Sequence, residues 1–192
     1  MPAFRPASER IAVELLAHDP AWAQLADHEA RRSAALLGDN LLVTHHIGST
    51  AISSIRAKPI IDLIPVVRDL SALDAQEMEV RALGYDWRGE FGLPGRRFCV
   101  LNDPASGRRL VHVHAYQDGS TEIGRHLAFR DYLRAHPEEA AAYEAEKLRA
   151  ATTHPHDMLA YNGAKSDWIV ACQTRALAWW PESQRSRRRE HQ

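Results

Sequence analysis

The distribution of apolar residues predicts a β-sheet in the N-terminal part of the chain. Residues 41–47 (LLVTHHI) form one expected strand, and residues 59–67 (PIIDLIPVV) are apolar on both faces, as a central strand is. The segments RRFCVL and RRLVHVHAY flank the turn-rich stretch NDPASG, a pattern that predicts a hairpin. Residues 11–16 (IAVELL) alternate in polarity and are expected to form a further strand.

Helical patterns with recognisable ends lie between and after these strands. One helix is expected with Asp19 at its N-cap, Pro20 at its first position and Gly38 after its last turn. After about residue 120, three helical patterns follow one another in the sequence, and Pro137 begins the second while Asp157 caps the third. The C-terminal part of the chain is therefore expected to be helical.

Together these elements predict an α+β fold, with a mixed β-sheet, flanking helices and a C-terminal helical segment. We expect residues 1–118 to form the α/β body and residues 119–181 to form helices packed on that body. Residues 182–192 carry four arginines and are expected to be a disordered basic tail.

Composition limits the function classes. The 192 residues are 45% apolar and 26% charged with a formal net charge of −1, which is typical of a globular protein and makes nucleic acid an unlikely partner. Residues 1–10 are polar, and no apolar run approaches the length of a membrane span, so we expect neither a signal peptide nor a membrane role. Cys99 and Cys172 lack metal or redox spacing, and as free thiols they fit a cytoplasmic protein. The oligomeric state is left open.

Candidate chemistry begins at Gly48, Ser49 and Thr50, which follow the first expected strand. Glycine lets a backbone approach a ligand, and N–H and hydroxyl groups bind phosphate oxygens, to which Lys58 could add a point charge. The spacing is not that of a P-loop, and an ordinary turn is the alternative. Asp62 stands inside an apolar strand, where a carboxylate must be paired or bound to a metal ion; a salt bridge is the alternative.

The two features together match a known layout. A strand, Gly-Ser and then an aspartate in the next strand form the pattern of nucleotidyltransferases, in which Gly-Ser holds the triphosphate and carboxylates hold divalent ions. More specifically, the chain resembles the GrpB family, small proteins assigned to that superfamily. The resemblance rests on motifs that follow in the same order through most of the chain: VELLAHDPAW (13–22), HHIGST (45–50), AKPIIDLIPVV (57–67), LGY (83–85), HVH (112–114), FRDYLRAHP (129–137), Tyr143, Lys147, Asp157, Tyr161 and Lys165.

The resemblance implies a nucleotidyltransferase-like fold and, with it, a catalytic role for Asp62. Two departures from the pattern bear on that role. Ile64 stands where a nucleotidyltransferase carries its second carboxylate, and isoleucine cannot bind a metal ion. Ser53 and Ser54 replace the Pro-Gly that the family's loop typically carries.

Histidines offer substitute ligands for a metal ion. His112 and His114 are two residues apart on an expected strand and therefore share a face. If that strand lies beside the strand of Asp62, the three side chains converge. They would then form a metal site for which we expect a divalent ion, magnesium or manganese, with zinc as a further option. The alternative is a histidine that faces solvent or hydrogen-bonds within the sheet.

Further ligand contacts are expected from the helices. Tyr161 and Lys165 are four residues apart, as are Tyr143 and Lys147, so each pair shares a helix face from which lysine can bind phosphate. The alternative is an amphipathic helix with its lysine in water. We also expect two arginines in family-like positions to bind an anion: Arg97 and Arg130.

Three functions follow as hypotheses. The first is binding of a nucleotide or another phosphorylated small molecule, with metal-dependent nucleotidyl transfer. The second is a binding module with a degenerate metal site and no transfer chemistry, which Ile64 favours. The third is a metal-dependent hydrolase that uses Asp62, His112 and His114.

Overall fold

The computed structural model describes residues 12–189, with side chains as far as residue 180. Its sheet has five strands in the order β1-β2-β5-β4-β3. The strands are β1 (Leu41–Ile47), β2 (Ile61–Val67), β3 (Tyr85–Trp87), β4 (Arg96–Asn102) and β5 (Arg109–Gln117). Strands β2 and β5 are parallel and the other neighbours are antiparallel, so the sheet is mixed and the predicted α+β class is confirmed.

Helix α1 (Ala21–Leu37) covers one face of the sheet together with α2 (Leu70–Asp74) and α3 (Glu77–Ala82). The core between them contains Trp22 and Leu73 from the helices and Leu63 and Val113 from the two central strands. Because side chains alternate along a strand, the residues between these strand positions must point to the opposite face. That opposite face carries Asp62, His112 and His114.

The C-terminal helices lie toward the second face. They are α4 (Thr121–Ala135), α5 (Pro137–Thr153), α6 (Met158–Ala164) and α7 (Ser166–Arg189). Ile123 and Leu127 of α4 pack on Ile47, Ile64 and Tyr116 of the sheet. A second cluster joins α4, α5 and α7 to each other, so the helices bury apolar surface among themselves as well.

Several elements differ from the sequence-based expectation. In the expected strand at residues 11–16, residue 11 lies outside the described part, and Leu16 forms an isolated antiparallel bridge to Ala57. Pro20 takes the N-cap of α1, although Asp19 still accepts a hydrogen bond from the amide of Ala21 at 2.8 Å.

Two more differences concern the C-terminal part of the chain. The third expected helix is divided at Lys165, where α6 ends and α7 begins. The tail expected to be disordered from residue 182 is helical as far as Arg189, and residues 190–192 lie outside the described part. No helix within residues 12–189 combines the length and apolar character that crossing a membrane requires.

Candidate functional site

Parallel pairing of β2 and β5 brings Asp62 next to the two histidines. In this register Asp62 stands opposite His112. Asp62 Oδ1 lies 3.0 Å from His112 Nδ1 and 3.6 Å from His114 Nε2. The expected convergence of the three side chains is therefore what the structure has, and each keeps a fraction of its surface exposed.

Gly48 ends β1 directly against the Asp62 carboxylate. Its φ is +70° and its ψ is −171°, a backbone region that is essentially restricted to glycine. A Cβ atom at this position would lie 2.4 Å from Asp62 Oδ2, well inside van der Waals contact. Glycine is therefore needed both for the turn and for the close approach of Asp62. Ser49 follows directly in the chain and lies in the same site.

The local environment keeps the Asp62 carboxyl ionised. Burial alone raises the pKa of a carboxyl group, but the hydrogen bonds from His112 and His114 outweigh that effect here and hold the pKa of Asp62 far below its ordinary value. Asp62 is thus available as a hydrogen-bond acceptor or as a ligand for a cation.

Arginines contact the far nitrogen of each histidine. Arg109 Nη1 lies 3.1 Å from His112 Nε2, and Arg96 Nη1 lies 3.5 Å from His114 Nδ1. A guanidinium group can only donate hydrogen bonds, so these contacts place the proton of each histidine on the nitrogen that faces Asp62. The three side chains therefore form a hydrogen-bonded cluster around one carboxylate.

The contacts of the two histidines determine how well this cluster could hold a metal ion. One atom from each of Asp62, His112 and His114 lies within 4.8 Å of the others, which is close enough for a shared ion. A metal-bound histidine, however, normally donates its second N–H to a carboxylate or a carbonyl. Arg96 and Arg109 occupy those outer positions and cannot accept, so the donor set suits a metal ion in spacing but not in its outer contacts.

A cavity of about 250 Å³ opens beside Asp62 and Gly48. We call it the lysine cavity, because Lys58, Lys147 and Lys165 all line it. The whole sequence has 24 lysine and arginine residues, and these are its three lysines. The other polar residues that line the cavity are Ser49, Asp62, His112, Tyr143, Tyr161 and Asn162.

The lysines pack against buried tyrosine rings. Lys58 Nζ and Lys165 Nζ lie 5.3 Å and 4.9 Å from the centre of the Tyr161 ring, while Lys147 Nζ lies 4.7 Å from that of Tyr143. Burial lowers the pKa of Lys147 to about 7 and that of Lys165 to about 8, and it also lowers the pKa of Lys58. Lys58 and Lys165 interact with the Asp62 carboxylate, while the ammonium group of Lys147 donates a hydrogen bond to the carbonyl of Arg56. Two lysines against one carboxylate leave an excess of positive charge, which an anionic ligand would balance.

Ile64 stands at the strand position where a second carboxylate was expected. It lies on the same face of β2 as Asp62, two residues further along the strand. It is fully buried against Ile47, Val66 and Tyr116, beneath the apolar side of α4. The position of the second metal ligand is therefore occupied by an apolar side chain of the core.

Three expected ligand residues do not line the lysine cavity. Arg97 lies on the opposite face of the sheet and is paired with Asp74 at 2.5 Å, so its assignment to the site is wrong. Arg130 donates a hydrogen bond to the carbonyl of His46 at 2.9 Å and holds the end of β1 instead. The hydroxyl of Thr50 is buried at 2.9 Å from His46 Nε2, which makes it a structural contact of the turn.

Arg96 and Arg109, which do contact the cluster, do not stand out in the sequence as ligand residues. Arg96 is the neighbour of Arg97 on β4, and it shares a face with His114 because the strand alternates. Arg109 precedes His112 by three residues and was assigned only to the hairpin. The double arginines of the segments RRF and RRL are the sequence feature that indicates these contacts. Which arginine of each pair faces the cluster depends on the strand register.

Comparison with known proteins places this geometry in context. A family model described as GrpB protein matches residues 12–175. UPF0157 protein YqkA of Bacillus subtilis is 38% identical over 167 residues, which are 87% of this chain and 48% of YqkA. The chain thus spans about half the length of that relative.

Solved structures agree at the level of the fold. The crystal structure of the conserved protein GrpB from Enterococcus faecalis matches with a TM-score of 0.82 and 38% identity, over 87% of this chain and 99% of that chain. A structure of the Cid1 poly(U) polymerase matches with a TM-score of 0.50 and 10% identity, over 78% of this chain and 49% of that chain. At that identity the similarity to a nucleotidyltransferase concerns the fold alone.

Proposed function

Because the chain belongs to the GrpB family, we propose that its lysine cavity binds a nucleotide or another phosphorylated small molecule. The observation that carries this proposal is the convergence of all three lysines of the chain on one cavity beside Gly48 and Ser49. Elsewhere in the chain arginine supplies the positive charge. A buried lysine can lose its proton when the cavity is empty and regain it when an anion enters.

The roles of the residues follow from their positions. Ser49 and the backbone of the Gly48 turn offer donors to phosphate oxygens, and Lys58, Lys147 and Lys165 neutralise their charge. The rings of Tyr143 and Tyr161 form the walls against which the three ammonium groups lie. Asp62 limits how far a phosphate can enter, since two anions repel each other at short range.

Metal-dependent nucleotidyl transfer is the second candidate function, and the nucleotidyltransferase-like fold favours it. In that case Asp62, His112 and His114 would hold a divalent ion, magnesium, manganese or zinc, which would offset the charge of the phosphates. The same residues would serve a metal-dependent hydrolase. Both activities require Arg96 and Arg109 to leave the histidines, and Ile64 offers no second carboxylate.

Titration calorimetry tests the proposal on the full chain. Sodium tripolyphosphate is titrated once in EDTA and once in manganese chloride, and we expect saturable binding in EDTA. Lys165→Met should weaken that binding at least about tenfold, because a charge-assisted contact is lost. Arg97→Met is the matched control on the other face of the sheet and should leave the affinity unchanged.

The other outcomes separate the candidates. Binding that occurs only with manganese would favour the metal-dependent transferase over metal-free binding. No binding under either condition, or equal affinities for wild type and Lys165→Met, would contradict a phosphate site in the lysine cavity.

A further inference from the structure

The loop of residues 88–95 places an exposed aromatic ring next to the Asp62 cluster. Phe91 is 59% exposed, and its ring stacks on that of Phe98 with 5.3 Å between centres and 25° between planes. Phe98 in turn lies 5.5 Å from the ring of His112 and 5.0 Å from that of His114. Since His112 lines the lysine cavity, two ring contacts lead from the cavity wall to Phe91.

The backbone of this loop is held in an unusual conformation. Phe91 has a φ of +45°, in the left-handed region that L side chains rarely adopt. Arg96 holds it there through hydrogen bonds to the carbonyls of Glu90 at 3.2 Å and Phe91 at 2.9 Å. Strained residues of this kind persist where the surrounding contacts over-determine them, and they cluster at ligand sites.

Arg96 also connects the loop to the cluster. Its guanidinium lies 4.8 Å from the centre of the Phe98 ring and 3.5 Å from His114 Nδ1. The position of Phe91 is thus fixed relative to the histidines that contact Asp62.

A guanidinium group lies over the exposed ring. The guanidinium of Arg88 lies 5.5 Å from the centre of the Phe91 ring, and Arg109 lies on the other side of His112. Arg88 is also paired with Asp86 at 2.9 Å, so it remains oriented along the loop. An aromatic face beside arginine is the combination that stacks on nucleobases.

We propose that Phe91 is the base-binding platform of this site, so that the ligand is a nucleotide rather than a phosphorylated molecule without a base. The phosphates lie in the lysine cavity, and the base stacks on Phe91, in the place over the ring that the Arg88 guanidinium occupies when no ligand is bound. This inference rests on the proposed function, since it assigns the base to the same ligand whose phosphates the lysines bind.

The test compares ATP with tripolyphosphate, which has phosphates and no base, by titration calorimetry on the full chain in EDTA. Stacking on an aromatic ring should make wild-type affinity for ATP at least about fivefold higher than for tripolyphosphate. Phe91→Leu keeps an apolar side chain without a π face and should remove this advantage while leaving tripolyphosphate binding unchanged. Phe91→Trp should retain it.

Leu93→Ala is the matched control, because Leu93 is an exposed apolar residue of the same loop. It should leave both affinities unchanged, and thermal melting of each variant verifies that the fold is intact. Equal affinity of the wild type for ATP and tripolyphosphate, or an unchanged ATP affinity in Phe91→Leu, would overturn the platform while the phosphate site stands. No binding of either ligand would overturn both proposals.

Discussion

Replacing Gly48 by alanine tests the close approach between the β1 turn and Asp62. The new Cβ atom would lie 2.4 Å from Asp62 Oδ2 and 3.1 Å from Asp62 Cβ, so one of the two groups must move. The backbone at φ +70° and ψ −171° adds a second penalty, because side chains other than hydrogen are disfavoured there. The free-energy cost of the substitution therefore has a steric part and a backbone part.

The two parts can be estimated separately. A strained backbone position costs about 1–3 kcal/mol, and forcing extra volume into a packed site costs about 1–3 kcal/mol more. We expect Gly48→Ala to lower the free energy of unfolding by about 2–6 kcal/mol, a large share of the ~5–15 kcal/mol that stabilises a typical domain. Gly107→Ala is the control, since Gly107 has the same φ of +70° and nothing within 4 Å of a new Cβ atom.

Urea unfolding of four proteins isolates the steric part: wild type, Gly48→Ala, Asp62→Ala and the double variant. In the Asp62→Ala background the carboxylate of the 2.4 Å contact is absent and only the 3.1 Å contact with the Cβ atom remains, so Gly48→Ala should cost its backbone part and a small remainder of its steric part. Gly107→Ala should cost about 1–2 kcal/mol from its left-handed φ alone. Equal costs of Gly48→Ala in both backgrounds, within about 0.5 kcal/mol, would refute the placement of Asp62 against this turn.

Three further predictions concern other parts of the molecule. Tyr85→Phe removes the hydroxyl that donates a hydrogen bond to buried Glu29 at 2.5 Å, so the free energy of unfolding should fall by about 1.5–3 kcal/mol in urea titrations, and an unchanged midpoint would speak against this contact. Tripolyphosphate affinity should fall between pH 7 and pH 9, because Lys147 and Lys165, with pKa values of about 7 and about 8, lose protons that the bound anion needs. Calorimetry at pH 8 in buffers of different ionisation enthalpy should then reveal proton uptake, and proton release would contradict it. Ile64→Asp should destabilise the fold by about 3 kcal/mol or more without creating metal-dependent binding, since it places a carboxylate beneath α4; a stable variant that gains manganese binding would disprove this.

The sheet could be predicted because its longer strands carry either a period-two pattern or a continuous apolar run. The apolar run around Asp62 predicted a central strand, and β2 lies between β1 and β5. His112 and His114 were assigned to one face by spacing alone, and the register confirmed that they meet Asp62. Short elements such as β3 have too few residues for a pattern and were missed.

Register explains the wrong assignment of Arg97. Adjacent residues of a strand point to opposite faces, so choosing between Arg96 and Arg97 requires knowing which of them stands opposite His114. Phe98 stands opposite His114, and Arg96 shares its face. Sequence alone does not provide that pairing.

The lysine cavity depends on contacts between distant parts of the chain. Lys58 lies before β2, Lys147 on α5 and Lys165 between α6 and α7, so no local spacing relates all three. Helix spacing did relate each of Lys147 and Lys165 to its tyrosine. The scarcity of lysine among the basic residues was a compositional signal, and its meaning became apparent only when the three residues met in the fold.

Lysine footprinting tests whether the lysines of the cavity form one phosphate site. The full chain is acetylated with an amine-reactive ester at pH 7.5, with and without saturating tripolyphosphate, and the rate at each amine is read by mass spectrometry. We expect tripolyphosphate to slow acetylation of Lys58 and Lys165 together, while the α-amino group, as internal control, reacts at an unchanged rate. Lys147 is 2% exposed and should react slowly with or without the anion. Acetylation rates at Lys58 and Lys165 that tripolyphosphate leaves unchanged would contradict a shared phosphate site.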